Sequence, residues 1–353
     1  MPSPELVLAR FAITRPRHEL DQERALAWIA ATHADAEAAR AGLDRDARDA
    51  FEARLARVIR RVACGADRIA RRGHAHPLGT AGDRVVLYDA AMTDMLARAY
   101  AGEAEPPDDL IHVTCTGYSS PSTAQVLVAE RRWRTRVTHA YQMGCYAAIP
   151  ALRIAAGFAG IGARRVDVFH GELCSLHFDP ADHAIEQLVV QSLFGDGGIR
   201  YELHADDVAP ALRVHALHEQ LVPGTAAAMS WRDMKMRLAR DVPERIAGVV
   251  RGFVQELYAR AGMGLGALPA SVFAIHPGGP KIIDRVRATL ELTDAQVAAS
   301  RAVLRDHGNM SSATLPHIWQ RVLADPRVVP GTLVASLAFG PGLTICGALL
   351  EKR

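Results

Sequence analysis

The stretch AYQMGCY, residues 140–146, joins an apolar run typical of a strand to a run of small residues, 147–158, typical of a helix. Gly144 permits the tight turn that such a junction needs. Cys145 then stands at the amino-terminal end of the helix, where the helix dipole favours thiolate, the nucleophilic form of cysteine. The stretch therefore predicts a cysteine nucleophile at a strand-to-helix turn.

Outward from this turn, strand-like and helix-like runs alternate along the whole chain, which indicates the α/β class. The order strand–helix–strand–cysteine–helix in the first part resembles the order strand–histidine–helix, then asparagine–helix–strand–strand, in the second. This similarity of pattern predicts two related halves, residues 1–206 and 207–353. A helix is also predicted over residues 51–72, with apolar residues on one face and arginines on the other.

Composition excludes several classes of protein. The chain has 353 residues, 49% hydrophobic and 23% charged, as expected for a soluble globular protein of two packed units. Its net charge of +2 implies no general affinity for nucleic acid. Neither a signal peptide nor a membrane helix is indicated. Five widely spaced cysteines without a CxxC pair favour the cytoplasm and argue against a disulfide framework or a zinc site. No P-loop or dinucleotide fingerprint indicates a nucleotide cofactor.

Two downstream segments supply partners for Cys145. His276 ends a predicted strand in FAIHPGG, residues 273–279, and Asn309 precedes a predicted helix in DHGNMSS, residues 306–312. An imidazole can stabilise a thiolate, and an amide can donate to an oxyanion without titrating, so the set indicates acyl transfer. Each residue also has a plainer explanation: a buried apolar thiol, one of 15 histidines, and a turn or capping asparagine.

Six motifs resemble those of the type III polyketide synthases, the chalcone synthase-like family of the thiolase superfamily. They are YQMGC (141–145), LFGDG (193–197), DVP (241–243), IHPGGP (275–280), GNMSSA (308–313) and FGPGL (339–343). They occur in the family's order and cover nearly the whole chain. The resemblance implies a five-layer α-β-α-β-α sandwich of two related halves, acting as a homodimer. It also implies Cys145, His276 and Asn309 as the catalytic set, with no metal or organic cofactor.

The resemblance implies a substrate pocket as well. Phe194 matches a gatekeeper aromatic, although an ordinary core phenylalanine is the plainer explanation. Met236 stands where plant members have a second phenylalanine, and its flexible thioether yields where a ring would not. The other implied pocket residues are Cys115, Thr116, Phe339, Gly340 and Pro341.

The arginine-rich helix departs from the family. Plant members bind the phosphates of coenzyme A with cationic residues at three positions of this helix. Those positions hold Ile59, Val62 and Ala66 here, and Arg60, Arg61 and Arg68 lie nearby but out of register. A solvated charged face is the plainer explanation. The alternative is a docking face for an acidic acyl carrier protein, where complementary charge would speed the encounter.

The implied activity is a Claisen condensation. An acyl chain loads onto Cys145, and a second thioester, on coenzyme A or a carrier protein, supplies a carbanion by decarboxylation or deprotonation. The departures favour long chains, and one specific hypothesis is a ketosynthase that joins two β-ketoacyl chains into an α-pyrone, similar to the chain-joining synthases of myxobacterial antibiotics.

Two alternatives remain. The first is a β-ketoacyl carrier-protein synthase III-type enzyme that makes one condensation and no ring; the glycine-proline loop at 339–343 argues against it. The second is a non-catalytic thiolase-fold partner subunit, which the presence of the cysteine, histidine and asparagine disfavours. The sequence leaves the starter, extender, carrier, number of condensations and ring type open.

Overall fold

The computed structural model describes residues 6–80, 82–205, 208–232 and 235–353, so the predicted boundary at 206/207 lies outside the described residues. The described strands are β1 (Val7–Thr14), β2 (His18–Asp21), β3 (Arg71–His74), β4 (Asp109–Thr114), β5 (Arg136–Tyr141), β6 (Arg165–Glu172), β7 (Gly197–His204), β8 (Ala211–Leu221), β9 (Met229–Arg232), β10 (Lys235–Leu238), β11 (Val272–Ile275), β12 (Leu333–Gly340) and β13 (Thr344–Lys352). The described helices are α1 (Gln22–Ala41), α2 (Arg45–Val62), α3 (Arg84–Ala99), α4 (Thr123–Glu130), α5 (Ala148–Gly160), α6 (Ile185–Leu193), α7 (Val242–Arg260), α8 (Pro280–Leu290), α9 (Ala298–His307) and α10 (Thr314–Ala324).

Nine strands form one mixed sheet in the order β11-β12-β13-β8-β1-β7-β6-β4-β5. In the first half, β5, β4 and β6 run parallel, and β7 and β1 follow antiparallel. The second half repeats this order with one strand fewer: β11 and β12 are parallel, and β13 and β8 follow antiparallel. A short antiparallel pairing of Val7–Ala9 with β8 joins the halves. The alternation of elements thus gives the predicted α/β class.

Side chains that alternate along the strands place the helices in layers. In β12, Val334 and Ala338 belong to the core around α5 and α10, whereas Ala335 and Leu337 belong to the core around α7 and α8. A third core packs α3 and α4 against β4 and β6. The order of layers is therefore α3/α4, first half-sheet, α5/α10, second half-sheet, α7/α8.

The turn at 140–146 adopts the predicted strand-to-helix path. β5 ends at Tyr141, a single 3₁₀ turn covers Gly144–Tyr146, and α5 follows. Alanines 148, 151, 155 and 159 of α5 are buried, because small side chains let a central helix approach the sheets on both sides.

The helix predicted over 51–72 is wrong at its carboxyl end. α2 ends at Val62, because Ala63 is extended (φ −71°, ψ 162°) and the chain then turns around Gly65. Residues 71–74 form β3, which pairs with β2. Tertiary pairing overrides the apolar periodicity there: Ala70 donates its N–H to the carbonyl of Arg305 at 2.7 Å.

Candidate active site

The turn that carries Cys145 is held by unusual backbone and close packing. Gly144 has φ +78°, and a Cβ there would lie 2.9 Å from Cδ of Pro341. The Gly144 N–H donates to Sγ of Cys115 at 2.9 Å. At Gly340, a Cβ would lie 2.2 Å from the ring of Tyr146. The glycine-proline loop therefore packs directly on the nucleophile turn, and both glycines are needed for that contact.

Cys145 is buried, and burial raises the pKa of its thiol to about 12, with the charge of Glu172 acting in the same direction. The side chains of Ser311 and Asn309 lie close enough to lower the pKa, although Nδ2 of Asn309 makes no hydrogen bond of normal geometry. Burial thus acts against the thiolate that the turn was predicted to favour, and the nucleophilic role of Cys145 stays a prediction.

Asn309 is fixed so that its amide donor stays free. Its Oδ1 accepts the N–H of Ser311 at 2.8 Å and the hydroxyl of Thr314 at 3.4 Å, which assigns oxygen and nitrogen within the amide. The remaining Nδ2 is buried and has no hydrogen-bond partner among the described residues. The backbone of Asn309 pairs with Leu193 and Gly195 at 3.0 and 2.9 Å, on either side of Phe194.

His276 follows the end of β11. Its N–H donates to the carbonyl of Leu337 in β12 at 2.7 Å, three residues before Gly340. Its side chain is fully buried, and neither ring nitrogen has a partner among the described residues. Burial lowers the pKa of the imidazole to about 3, so the resting ring is neutral.

The carboxyl ends of neighbouring elements thus meet around Cys145. The 144–146 turn packs against the end of β12, which neighbours His276, and against the 311–313 turn that follows Asn309. The geometry is consistent with the predicted set, and the catalytic roles remain predictions.

Glu172, at the end of β6, is a buried residue that the sequence reading missed. Its carboxylate accepts the N–H of Cys115 at 3.0 Å, the Thr116 hydroxyl at 3.0 Å and the Ser312 hydroxyl at 2.5 Å. It therefore ties the turn after β4 to the turn after Asn309. Burial raises its pKa, and these donors act to lower it. The only signal in the sequence was a carboxylate at the end of an apolar strand.

A cavity of about 490 Å³ reaches Cys145. Its walls are mostly apolar and come from α1, the loop after β3, the 174–180 segment and α6. Side chains that define these walls include Trp28, Ile29, Leu78, Leu176, Phe178 and Val190. Neither α1 nor the loop after β3 was predicted to line a pocket, because no motif marks them.

Five of the predicted pocket residues line this cavity: Phe194, Met236, Cys115, Thr116 and Pro341. Two do not. Phe339 points into the core around α7 and α8, and Gly340 is covered by Tyr146. The strand alternation of β12 turns Phe339 away from the cavity.

The three predicted docking arginines are exposed. Arg60 and Arg61 occupy the last turn of α2. Arg68 lies in the following turn, where it pairs with Asp67 at 3.2 Å and lies 3.7 Å from Asp284. Their docking role remains a prediction.

The chain is similar to known proteins over most of its length. The family model "Chalcone and stilbene synthases, C-terminal domain" matches residues 213–352. Type III polyketide synthase C of Arabidopsis thaliana is 31% identical over 292 residues, 78% of this chain and 75% of that protein. Bisdemethoxycurcumin synthase of Oryza sativa subsp. japonica is 31% identical over 275 residues, 72% and 68% of the two chains. The chain belongs to the type III polyketide synthase family.

Solved structures of type III polyketide synthases share the fold. The domain of Steely1 from Dictyostelium has a TM-score of 0.83 at 22% identity, covering 99% of both chains. The 1,3,6,8-tetrahydroxynaphthalene synthase of Streptomyces coelicolor has a TM-score of 0.79 at 24% identity, covering 98% of this chain and 99% of that one. The predicted thiolase-like fold is confirmed. This type III polyketide synthase is thus a condensing enzyme. In the described part of the chain, no helix is long and apolar enough to cross a membrane.

Proposed function

We propose that this enzyme forms carbon–carbon bonds by Claisen condensation of acyl thioesters through an acyl chain bound to Cys145. One observation carries the proposal. Cys145 lines an apolar cavity, and near its thiol Asn309 keeps a buried amide donor that has no partner among the described residues. An unpaired buried donor costs about 1–3 kcal/mol, so its retention supports a partner that arrives with the substrate.

Acylation starts from the neutral pair, thiol and imidazole. As the sulfur attacks the thioester carbonyl, the thiol proton passes to His276, and a new carbon–sulfur bond forms. The bond to the carrier sulfur then breaks, and the leaving thiolate takes the proton back from the imidazolium. Burial disfavours both isolated ions, so concerted proton transfer avoids the cost of either.

Condensation needs a carbanion. Loss of CO₂ from a malonyl-type extender, or removal of an α-proton, leaves an enolate whose oxygen accepts from Nδ2 of Asn309 and from His276. The enolate carbon attacks the acyl carbonyl, and the bond to Sγ of Cys145 breaks. The departing thiolate takes up one proton, from water after decarboxylation or the removed α-proton after deprotonation, and the resting thiol is restored. The extended chain is then held by the extender's thiol.

The substrate is proposed from the shape of the site. Apolar walls reaching α1, with Met236 as a flexible gate, support long acyl chains over small starters. Joining of two β-ketoacyl chains to an α-pyrone is the specific hypothesis. Thioesters of coenzyme A or of an acyl carrier protein, a homodimer, a cytoplasmic location and the need for no cofactor belong to the same proposal.

Intact-protein mass spectrometry tests the proposal. The protein is incubated with acyl thioesters of increasing chain length, with and without malonyl-coenzyme A. We expect one acyl adduct on Cys145, lost in Cys145→Ala, and a condensed product only when both thioesters are present. A Cys145→Ala variant that still forms product would contradict it.

A further inference from the structure

His177 ends the short 3₁₀ turn at 174–177 that follows β6, and it lines the cavity. Its ring stands edge-on to Trp231, with ring centroids 5.1 Å apart. Its Nε2 lies 2.8 Å from the backbone carbonyl of Thr116, a residue that also lines the cavity. Its Nδ1 is shielded and has no partner among the described residues. His177 thus shares with His276 and Asn309 a buried polar atom that the protein leaves unpaired.

The tautomer of His177 follows from its one hydrogen bond. A carbonyl oxygen only accepts, so Nε2 must carry the proton that it donates to Thr116. Nδ1 of the neutral ring is then a lone pair. Burial lowers the pKa of His177, and the charge of Arg84 at the start of α3 acts in the same direction. The ring lines the cavity, and its neutral form keeps a lone pair that has no partner among the described residues and that can accept a proton.

The groups that line the cavity differ in whether they can accept a proton. The cavity is also lined by two further histidines, His74 and His76, and by thiols and hydroxyls that include Cys115, Cys174 and Ser175. The pKa of Cys115 and of Cys174 is raised well above its usual value by burial, with Glu172 adding to the effect, so neither thiol supplies a base at neutral pH. Glu172 itself is occupied by hydrogen bonds and does not line the cavity. Of the three histidines, His177 is the one held by Thr116, whose neighbour Cys115 accepts the N–H of Gly144 beside Cys145.

We propose that His177 is the general base for ring closure of the extended chain, an inference that rests on the proposed function. The enol form of a β-keto chain carries an acidic O–H. Nδ1 takes that proton as the enol oxygen attacks the thioester carbonyl, and an oxygen–carbon bond forms. The carbon–sulfur bond breaks, and the leaving thiolate takes the proton from the imidazolium. The products are a lactone and a thiol, with no other reactant consumed.

Two substitutions test the role. In His177→Gln, the side-chain amide can overlay Nε2 and keep the donation to Thr116, while the lone pair of Nδ1 is lost. His183→Gln is the matched control: this half-buried histidine lies in the same segment and also contacts a backbone carbonyl, of Pro180 at 3.1 Å, but does not line the cavity. Each variant is given a long-chain β-ketoacyl thioester with malonyl-coenzyme A. Cys145 acylation is followed by intact mass, and cyclic and linear products by liquid chromatography and mass spectrometry.

We expect the ratio of cyclic to linear product to fall about 100-fold or more in His177→Gln, since a general base typically contributes about 10²–10⁴-fold, and to stay unchanged in His183→Gln. An unchanged ratio in His177→Gln would overturn the inference. So would a loss of Cys145 acylation as large as the loss of cyclic product, which would assign His177 to structure. Linear product alone from the unsubstituted enzyme would overturn the inference while leaving the condensation intact. Absence of any Cys145 adduct would overturn both.

Discussion

At the scale of single residues, Asn309 and His177 each have one polar atom held by a hydrogen bond and one without a partner among the described residues. The Asn309 amide oxygen is held by the Ser311 N–H, and the His177 Nε2 is held by the Thr116 carbonyl. In each side chain the hydrogen bond shows which atom is the amide oxygen or the protonated nitrogen, and therefore whether the remaining atom is a donor or an acceptor. Preorganised donors and acceptors of this kind need no reorientation during reaction, which is why they are effective in catalysis.

Substitution of Gly340 tests the contact between the glycine-proline loop and the nucleophile turn. In Gly340→Ala, the new Cβ would meet the Tyr146 ring at 2.2 Å, so we expect destabilisation of about 1–3 kcal/mol and slower acylation of Cys145. Gly252→Ala in α7 is the control, since nothing lies within 4 Å of its Cβ and alanine favours a helix. Urea unfolding measures both, and equal stabilities would contradict the expectation.

Glu172 offers a test of the electrostatics around the sulfur. Its charge raises the pKa of Cys145, so Glu172→Gln should lower that pKa. The alkylation profile of Cys145 with iodoacetamide should then shift to lower pH and be roughly several-fold faster at a given pH, since one pKa unit is about tenfold. The exposed Glu256→Gln serves as control. A shift to higher pH would show that the hydrogen bonds of Glu172 matter more than its charge.

At the scale of elements, α2 carries only two of the three predicted docking arginines that the sequence placed on one helix, Arg60 and Arg61. Leu55 and Ile59 pack its inner face against α1 and α6. Arg60 and Arg61 stay exposed in its last turn, where the helix dipole favours cations. Arg68 belongs to the turn beyond the helix and is already paired.

Charge reversal on α2 tests the predicted docking face. If an acidic carrier protein docks there, the double variant Arg60→Glu/Arg61→Glu should lower the rate of Cys145 acylation from acyl carrier protein by about tenfold or more at low salt, with a smaller effect on acyl-coenzyme A. Arg164→Glu, an exposed arginine between α5 and β6, is the control. Equal rates from both donors in all variants would remove the docking hypothesis.

At the scale of the whole molecule, the two halves meet through β1. Leu8 is fully buried and pairs with Leu203 of β7 and Leu212 of β8, so a single residue joins both half-sheets. The predicted catalytic residues come from both halves: Cys145 follows β5, whereas His276 follows β11. The site therefore depends on packing between the halves and not on either alone.

Truncation of Leu8 tests this coupling. We expect Leu8→Ala to destabilise the protein by about 2–5 kcal/mol, because the cavity opens between two half-sheets that cannot collapse independently. Ile13→Ala on the same strand, 38% exposed, should cost much less. Unfolding is followed by circular dichroism and by Cys145 reactivity. The coupling would be contradicted if the Cys145 thiol became reactive well before the circular dichroism signal of secondary structure was lost.

Much of the fold and of the site could be predicted from the sequence. The turn at Gly144, the strand ends at His276 and the six motifs carry local signals. Glu172 is marked only as a carboxylate at the end of an apolar strand and His177 by no signal, because their contacts are with partners 140 and 61 positions away. The end of α2 was missed for a similar reason: its apolar periodicity continues, but a strand pairing from elsewhere ends it.

The sequence by itself determined the α/β class and the strand-to-helix turn at Gly144, and it supplied the predicted catalytic set, since those depend on local periodicity and residue chemistry. Only the tertiary structure decided the burial that raises the pKa of the Cys145 thiol, the atoms of Asn309 and His177 that lack a partner among the described residues, and which side chains line the cavity. These properties arise from burial and from contacts between distant segments, and such contacts leave no local pattern along the chain.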